Sequence, residues 1–390
     1  MSVFVQINPH ILTWARVVAG YSIEEAADKI SIKSERLAAI EAGDGQLTLP
    51  QLKKAAEVFK RPLAFFFLRE PPEKPASLHD FRLQPGVAFY PYSPRLNFEI
   101  RKASLHREDA LDLAKELDQK IPQFRHQANL QESPEEVGRR VRKILGVDVG
   151  QQREWGRTDK ALKSWKAAVE AQSVLIFETS RIPVREMRGV SLPAGHLPVI
   201  ILNGGDANAG RVFTLLHEFT HLLLRQGGVC DLVQTEENTP DSRLEAFCNA
   251  VAGAALVPAE ALLDDIENQS SRNWDINELG VLAQHFSVSK EVILRRLLTL
   301  GRTSDAHYKV MREQFRQEYE QMEAGREKSS GGPSPAVMAV RNLGQPFVRL
   351  VLNAYAEERI SLSTVSDYLG VKLKHLPRIE DLLRRSGSIA

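Results

Sequence analysis

A chain of 390 residues has room for two or three domains, each with a core of its own. Its 51 Lys+Arg and 50 Asp+Glu leave a formal net charge of +1, which excludes a protein that holds polyanions non-specifically over its whole surface; any nucleic-acid contact must come from a local patch. Cys230 and Cys248 alone make no disulfide framework, the opening stretch lacks a long apolar run, and no run of about 18 apolar residues occurs, so a cytoplasmic protein without a membrane span is expected.

Residues 1–68 read as compact and helical. Ile11, Leu12, Ala15 and Val18 share one face of a first helix that Gly20 stops. Ser22 with Glu25 three residues on is a capping-box pattern for a second, lined by Ala26, Ala27 and Ile30. A third spans Ser34 to Ala42, with Leu37 and Ile40 inward and a stop at Gly43. A fourth runs from Thr48 or Pro50 to Phe59 through Leu52, Ala55, Ala56 and Val58. Short helices joined by tight turns predict a helix-turn-helix. With Arg16, Tyr21 and Glu41, this order resembles an Xre/Cro-type domain. The resemblance implies that the third helix enters the major groove of double-stranded DNA and presents Lys33, Ser34 and Arg36, with Glu35 among them. The chain departs from that family at Ile23 and Glu24, where Gln often follows the Ser. A protein-binding or dimerisation module is the alternative.

Residues 69–97 predict a linker, because Pro71, Pro72, Pro75, Pro85, Pro91 and Pro94 favour extended backbone. From Phe98 to about Lys120, Ile100, Ala103, Leu105, Ala110, Leu113, Ala114 and Leu117 mark an amphipathic helix. A second follows Ser133-Pro134, and a third starts at Thr158 or Asp159 and runs through Trp165 and Val169. Three strands come next, at Ser173–Glu178, Met187–Leu192 and Pro198–Asn203. His196, in the loop before the last, reads as solvated.

The segment Arg211 to Leu224, RVFTLLHEFTHLLL, reads as a mostly buried helix carrying H-E-x-x-H. His217 and His221, four apart, lie on one face, so both imidazoles can reach a single metal ion. Glu218 sits beside them, where a carboxylate can take a proton from the attacking water. Two unpaired imidazoles and a carboxylate in an apolar helix would be costly without a role. Glu245, on the next apolar helix (Arg243 to Pro258), is the third ligand preferred, because it is built on an ordered element. Its rivals are Asp231, Glu236, Glu237 and Asp241 in the polar connection.

Phe213 to Leu224, with the downstream E-x-x-C-N-x-V-A-x-x-x-L-V-P from Glu245 to Pro258, resembles the ImmA/IrrE family of metallopeptidases. Glu245, Asn249, Ala252, Leu256 and Pro258 match its second motif, while Cys248 and Val251 stand where Ala and Phe are usual. The resemblance covers roughly residues 165 to 300. It implies one Zn2+ per chain held by His217, His221 and Glu245, with Glu218 as catalytic base, beside a small sheet of the zincin kind. Such enzymes take an extended peptide along a sheet edge. Leu78-His79-Asp80-Phe81-Arg82 is similar to a segment that follows the helix-turn-helix in fused members, and Phe81 and Tyr90 read as anchors. Leu282 to Ser289 also recurs in the family and reads as structural, although Arg295 and Arg296 nearby leave a second nucleic-acid contact open.

The expected whole is mainly α, α+β overall. A helix-turn-helix domain (1–68) and a Pro-rich linker (69–97) precede a zincin-like metallopeptidase domain with its leading helices (98–303). A charged helix with a Gly/Ser/Pro linker (304–335) and a C-terminal helix-turn-helix-like module (336–390) follow. The expected function is a DNA-associated zinc endopeptidase and regulator acting on a protein substrate, a repressor or an antitoxin or toxin partner, with no membrane and room for a homodimer. The alternative is a DNA-binding regulator or antitoxin whose metal site is structural or sensory.

Overall fold

A computed structural model describes residues 3–72, 92–226, 228–230, 240–267, 270, 272–324 and 332–387. The chain is mainly α and divides into two compact units, Met1–Ser104 and Leu105–Ala390.

The first unit holds β1 (Phe4–Val5), α1 (Pro9–Ala19), α2 (Ile23–Ile30), α3 (Ser34–Glu41), β2 (Leu47–Thr48) and α4 (Leu49–Val58). Local chemistry sets each boundary. Asn8 caps α1 by accepting the His10 amide at 3.0 Å, and Gly20 ends it at φ 82°. The Ser22–Glu25 capping box forms in both directions, at 3.0 and 3.1 Å. α2 and α3 are joined through Ser31, at φ 64°. Ile11, Leu12, Ile30, Leu37, Ile40, Leu52 and Phe59 form the core between the helices. The Arg16 guanidinium on α1 donates to both Glu41 oxygens on α3, at 2.7 and 2.8 Å, in a nearly buried setting. The small β1–β2 ladder, Phe4 opposite Thr48, is too short to leave a period in the sequence.

α5 (Pro94–Glu116) crosses the division between the units. It starts before Phe98 because Ser93 Oγ accepts the Leu96 amide at 3.2 Å and Pro94 suits a first turn. It stops before Lys120, where Asp118 turns to φ 53°. Residues 73–91, with most of the expected linker and Phe81 and Tyr90, lie outside the described residues.

The second unit continues with α6 (Pro134–Leu145), α7 (Val149–Trp155), α8 (Thr158–Glu170), β3 (Leu175–Thr179), β4 (Gly189–Leu192), β5 (Val199–Asn203), α9 (Asn208–Leu223), β6 (Gly228–Cys230) and α10 (Pro240–Leu256). Then come α11 (Ala259–Asp265), α12 (Ile276–His285), α13 (Lys290–Thr299), α14 (Asp305–Ala324), α15 (Pro335–Leu343), α16 (Gln345–Ala356), α17 (Leu362–Leu369) and α18 (Leu376–Gly387). α7 was not expected; Asp148 caps it by accepting the Gln151 amide at 2.7 Å. The sheet runs β3-β5-β4-β6, with β3 and β5 parallel and the other pairs antiparallel. Three of its strands were anticipated and β6 was not. Every residue of β3, β4 and β5 is buried, which is why they read as continuous apolar runs.

α9 is the buried spine of this unit. Leu215, Leu216, Phe219 and Leu222 pack in one core with Trp165 of α8, Val141 of α6 and Val251 and Ala255 of α10. α6 and α10 approach so closely that a Cβ at Gly138 would stand 2.7 Å from the Ala254 Cβ and 2.9 Å from the Ala255 amide. α15 is tied to the sheet by Arg341, which donates to Glu178 at 2.8 Å and to the Gly204 carbonyl at 2.6 Å. Arg296 is not open to nucleic acid. It is buried and donates to both oxygens of Glu135 (2.6 and 2.9 Å) and to the Val257 carbonyl (2.9 Å). Among the described residues no single helix is long and apolar enough to cross a membrane.

Candidate metal centre

His217 and His221 project from α9 with their Nε2 atoms 3.0 Å apart. Glu245 of α10 faces both, Oε2 3.2 Å from His217 Nε2 and Oε1 3.4 Å from His221 Nε2. These are the His, Cys, Asp and Glu side chains that converge as a candidate ligand set among the described residues. Asp231, Glu236 and Glu237, and the side chain of Asp241, lie outside them.

Three donors about 2.0–2.1 Å from a common tetrahedral centre stand about 3.3 Å from one another. The three separations found match that closely. Charge points the same way. With neutral imidazoles, Glu218 and Glu245 bring two negative charges into a setting where both histidines and Glu218 are buried, and a dication balances them. The nitrogens also need something between them. Two imidazole Nε2 atoms at 3.0 Å cannot both carry a proton, nor comfortably both present lone pairs. His217 Nδ1 meets Asn249 Oδ1 at 3.0 Å, so that contact holds the proton on Nδ1 and turns the Nε2 lone pair inward.

The electrostatics describe a site built for a cation. Burial raises the Glu245 carboxyl, but hydrogen bonds from His217 and His221 outweigh it and hold the group well below the usual carboxylate range. Burial disfavours an imidazolium at His221, yet Cys248, Glu245 and Glu218 together shift it upward. The Cys248 thiol is pushed up by its own burial.

Glu218 is fully buried on α9, and neither of its oxygens has a hydrogen-bond partner. Burial pushes its carboxyl up, while His221, His217 and Ser191 pull it down. The wall beside it is β4. A Cβ at Gly189 would fall 2.8 Å from Glu218 Oε1, so only glycine leaves the carboxylate its place. Ser191, two residues on, shares that face of the strand. Glu245, at 22% side-chain exposure, is the member of the group open to solvent.

The remaining candidates sit elsewhere. Lys33, Ser34 and Arg36 lie at the N-terminal end of α3, with Lys33 and Arg36 exposed. His196 is exposed, its Nδ1 3.2 Å from the Ile121 carbonyl, outside the cluster. Three participants went unassigned in the sequence. Asn249 carried a signal, standing four residues after Glu245 on the same helical face. Gly189 and Ser191 carried none, because sheet pairing brings them to α9.

Residues 170–298 match the peptidase M78 family model, described as an IrrE N-terminal-like domain. Residues 13–66 match the family model described as helix-turn-helix. No curated protein matches the chain. The chain thus carries a helix-turn-helix DNA-binding domain followed by an ImmA/IrrE-type peptidase domain.

Proposed function

We propose that this chain is a zinc-dependent endopeptidase that cuts a partner protein of repressor or antitoxin type, with its N-terminal unit engaging DNA. The observation that carries the reading is the pairing of a three-donor cluster with a buried, unpartnered carboxylate on the same helix. His217 Nε2, His221 Nε2 and a Glu245 oxygen would hold Zn2+, which when bound polarises a carbonyl and makes water acidic near neutral pH. Glu218 takes a proton from the attacking water. Its raised affinity for protons lets it keep that proton and then give it to the departing amine. Asn249 fixes the His217 ring, and Gly189 keeps the space around Glu218 clear.

Lys33, Ser34 and Arg36 are our candidates for DNA contact; they would steer the peptidase to a DNA-bound target or to an operator. That exposed end of α3 also supports a second reading, a DNA-binding regulator or antitoxin whose metal serves folding or sensing. Glu218→Gln separates the two. Incubated with a mixed library of unstructured peptides and zinc, the wild-type chain is expected to cut, and Glu218→Gln to cut at least a hundredfold more slowly, within the roughly 10²–10⁴-fold reach of a general base. If both cut nothing while each binds zinc, the regulator reading stands instead.

A further inference from the structure

A cavity of about 260 Å³ opens beside the C-terminal end of α9, lined by Phe124, Pro193, Ala194, Pro198, Leu222 and Arg225 among others. It adjoins the metal centre on both sides. Leu222 follows His221 directly and stands one helical turn, about 6 Å, beyond Glu218. Pro193 continues the β4 face that carries Gly189 and Ser191 past Glu218, about 7 Å further along the strand from Ser191. Its walls are mostly apolar, and the charged side chain among them is Arg225, exposed at the end of the helix. The size is telling. It equals roughly nine waters at about 30 Å³ each, below the roughly 300–1,000 Å³ of cofactor and drug-sized sites. That is room for one large side chain.

We infer that this cavity is a specificity pocket for the peptide substrate, which takes a large apolar side chain such as Leu, Met or Phe next to the bond to be cut, while Arg225 pairs with an acidic residue beside it. The inference rests on the peptidase reading and supplies its substrate class. An apolar side chain leaves water for apolar walls, and the Arg225 fork can meet a carboxylate with two parallel hydrogen bonds. A Gly or a Lys at the respective positions forfeits one interaction each.

The test is binding, read apart from cleavage. The full-length, zinc-loaded chain carrying Glu218→Gln is titrated by fluorescence anisotropy with three labelled peptides, identical except for a central Leu-Asp, Gly-Asp or Leu-Lys. Leu-Asp is expected to bind at least tenfold more tightly than either, the scale that apolar pockets reach. Ala194→Trp, which fills the cavity, should erase the Leu advantage and keep the Asp preference. Arg225→Glu, at an exposed position that leaves folding alone, should reverse the order of Leu-Asp and Leu-Lys. Equal binding of Leu-Asp and Gly-Asp, or a Leu advantage that survives Ala194→Trp, would overturn the pocket. Cleavage of the same peptides by the chain with Glu218 intact is scored separately. Selective binding without any cutting keeps the pocket and removes the peptidase reading.

Discussion

Gly189 of β4 stands against Glu218 of α9 so tightly that a Cβ at position 189 would lie 2.8 Å from Glu218 Oε1 and 2.5 Å from Thr214 Cγ2. Strand and helix therefore meet at a point where only a hydrogen atom fits. Gly189→Ala is expected to destabilise the chain by about 1–3 kcal/mol, as overpacking does, and to displace the carboxylate. The cleavage rate should fall at least tenfold while zinc content holds, since His217, His221 and Glu245 are untouched. Melting temperature, zinc by mass spectrometry and peptide cleavage on one sample check it; an unchanged rate would show that Glu218 does not depend on this wall.

Asn249 should tune metal affinity through His217. Asn249→Ala removes the 3.0 Å contact to Nδ1 and frees the ring to change tautomer and angle. Loss of such a partner weakens metal binding by about 10–100-fold. Competition with a chromogenic chelator reads this directly, and an affinity within twofold of wild type would argue against it.

How much of this was legible beforehand varies by element. The Ser22–Glu25 box, the Gly20 stop and the H-E-x-x-H helix are local patterns, and a local pattern survives in one dimension. Glu245 was legible because α9 and α10 are both long and apolar, so their packing could be anticipated. Gly189 and Ser191 reach Glu218 only through the order β3-β5-β4-β6, which no spacing encodes. β6, three residues long, is too short for a period of two to show. The tie between Arg341 and Glu178 joins residues 163 apart in sequence, with nothing in either segment to announce it.

The Arg16–Glu41 pair makes the first unit sensitive to single changes. Both partners are under a tenth exposed. Arg16→Ala leaves a buried, unmatched carboxylate and should cost about 3–5 kcal/mol, whereas replacing both partners by Met and Leu should be close to neutral. Hydrogen exchange by mass spectrometry over α1–α4 would register faster exchange in the single variant and recovery in the double. Equal exchange in wild type and Arg16→Ala would contradict it.

Glu170, at the end of α8, gives stability a pH dependence. Burial pushes its carboxyl from 4.5 up to about 7; Lys166 lowers it and Glu178 raises it. Its Oε1 is buried without a partner. A carboxyl that holds its proton more tightly when folded stabilises the fold fully below the unfolded value of about 4.5. That stabilisation, roughly 2–3 kcal/mol, is lost as pH rises through about 7. Glu170→Gln, neutral at every pH, should flatten this fall. Urea unfolding between pH 4.5 and 8 tests it, and parallel curves for the two proteins would exclude Glu170 as the cause.

The most direct measurement is metal stoichiometry, by mass spectrometry, on wild type, Glu245→Ala and Glu218→Gln purified side by side. The account predicts about one zinc per wild-type chain, loss of it in Glu245→Ala, and full retention in Glu218→Gln, because Glu218 stands beside the three donors rather than among them. Wild-type chain that holds no stoichiometric metal after refolding with zinc would contradict the site. Equal zinc in wild type and Glu245→Ala would contradict the role of Glu245.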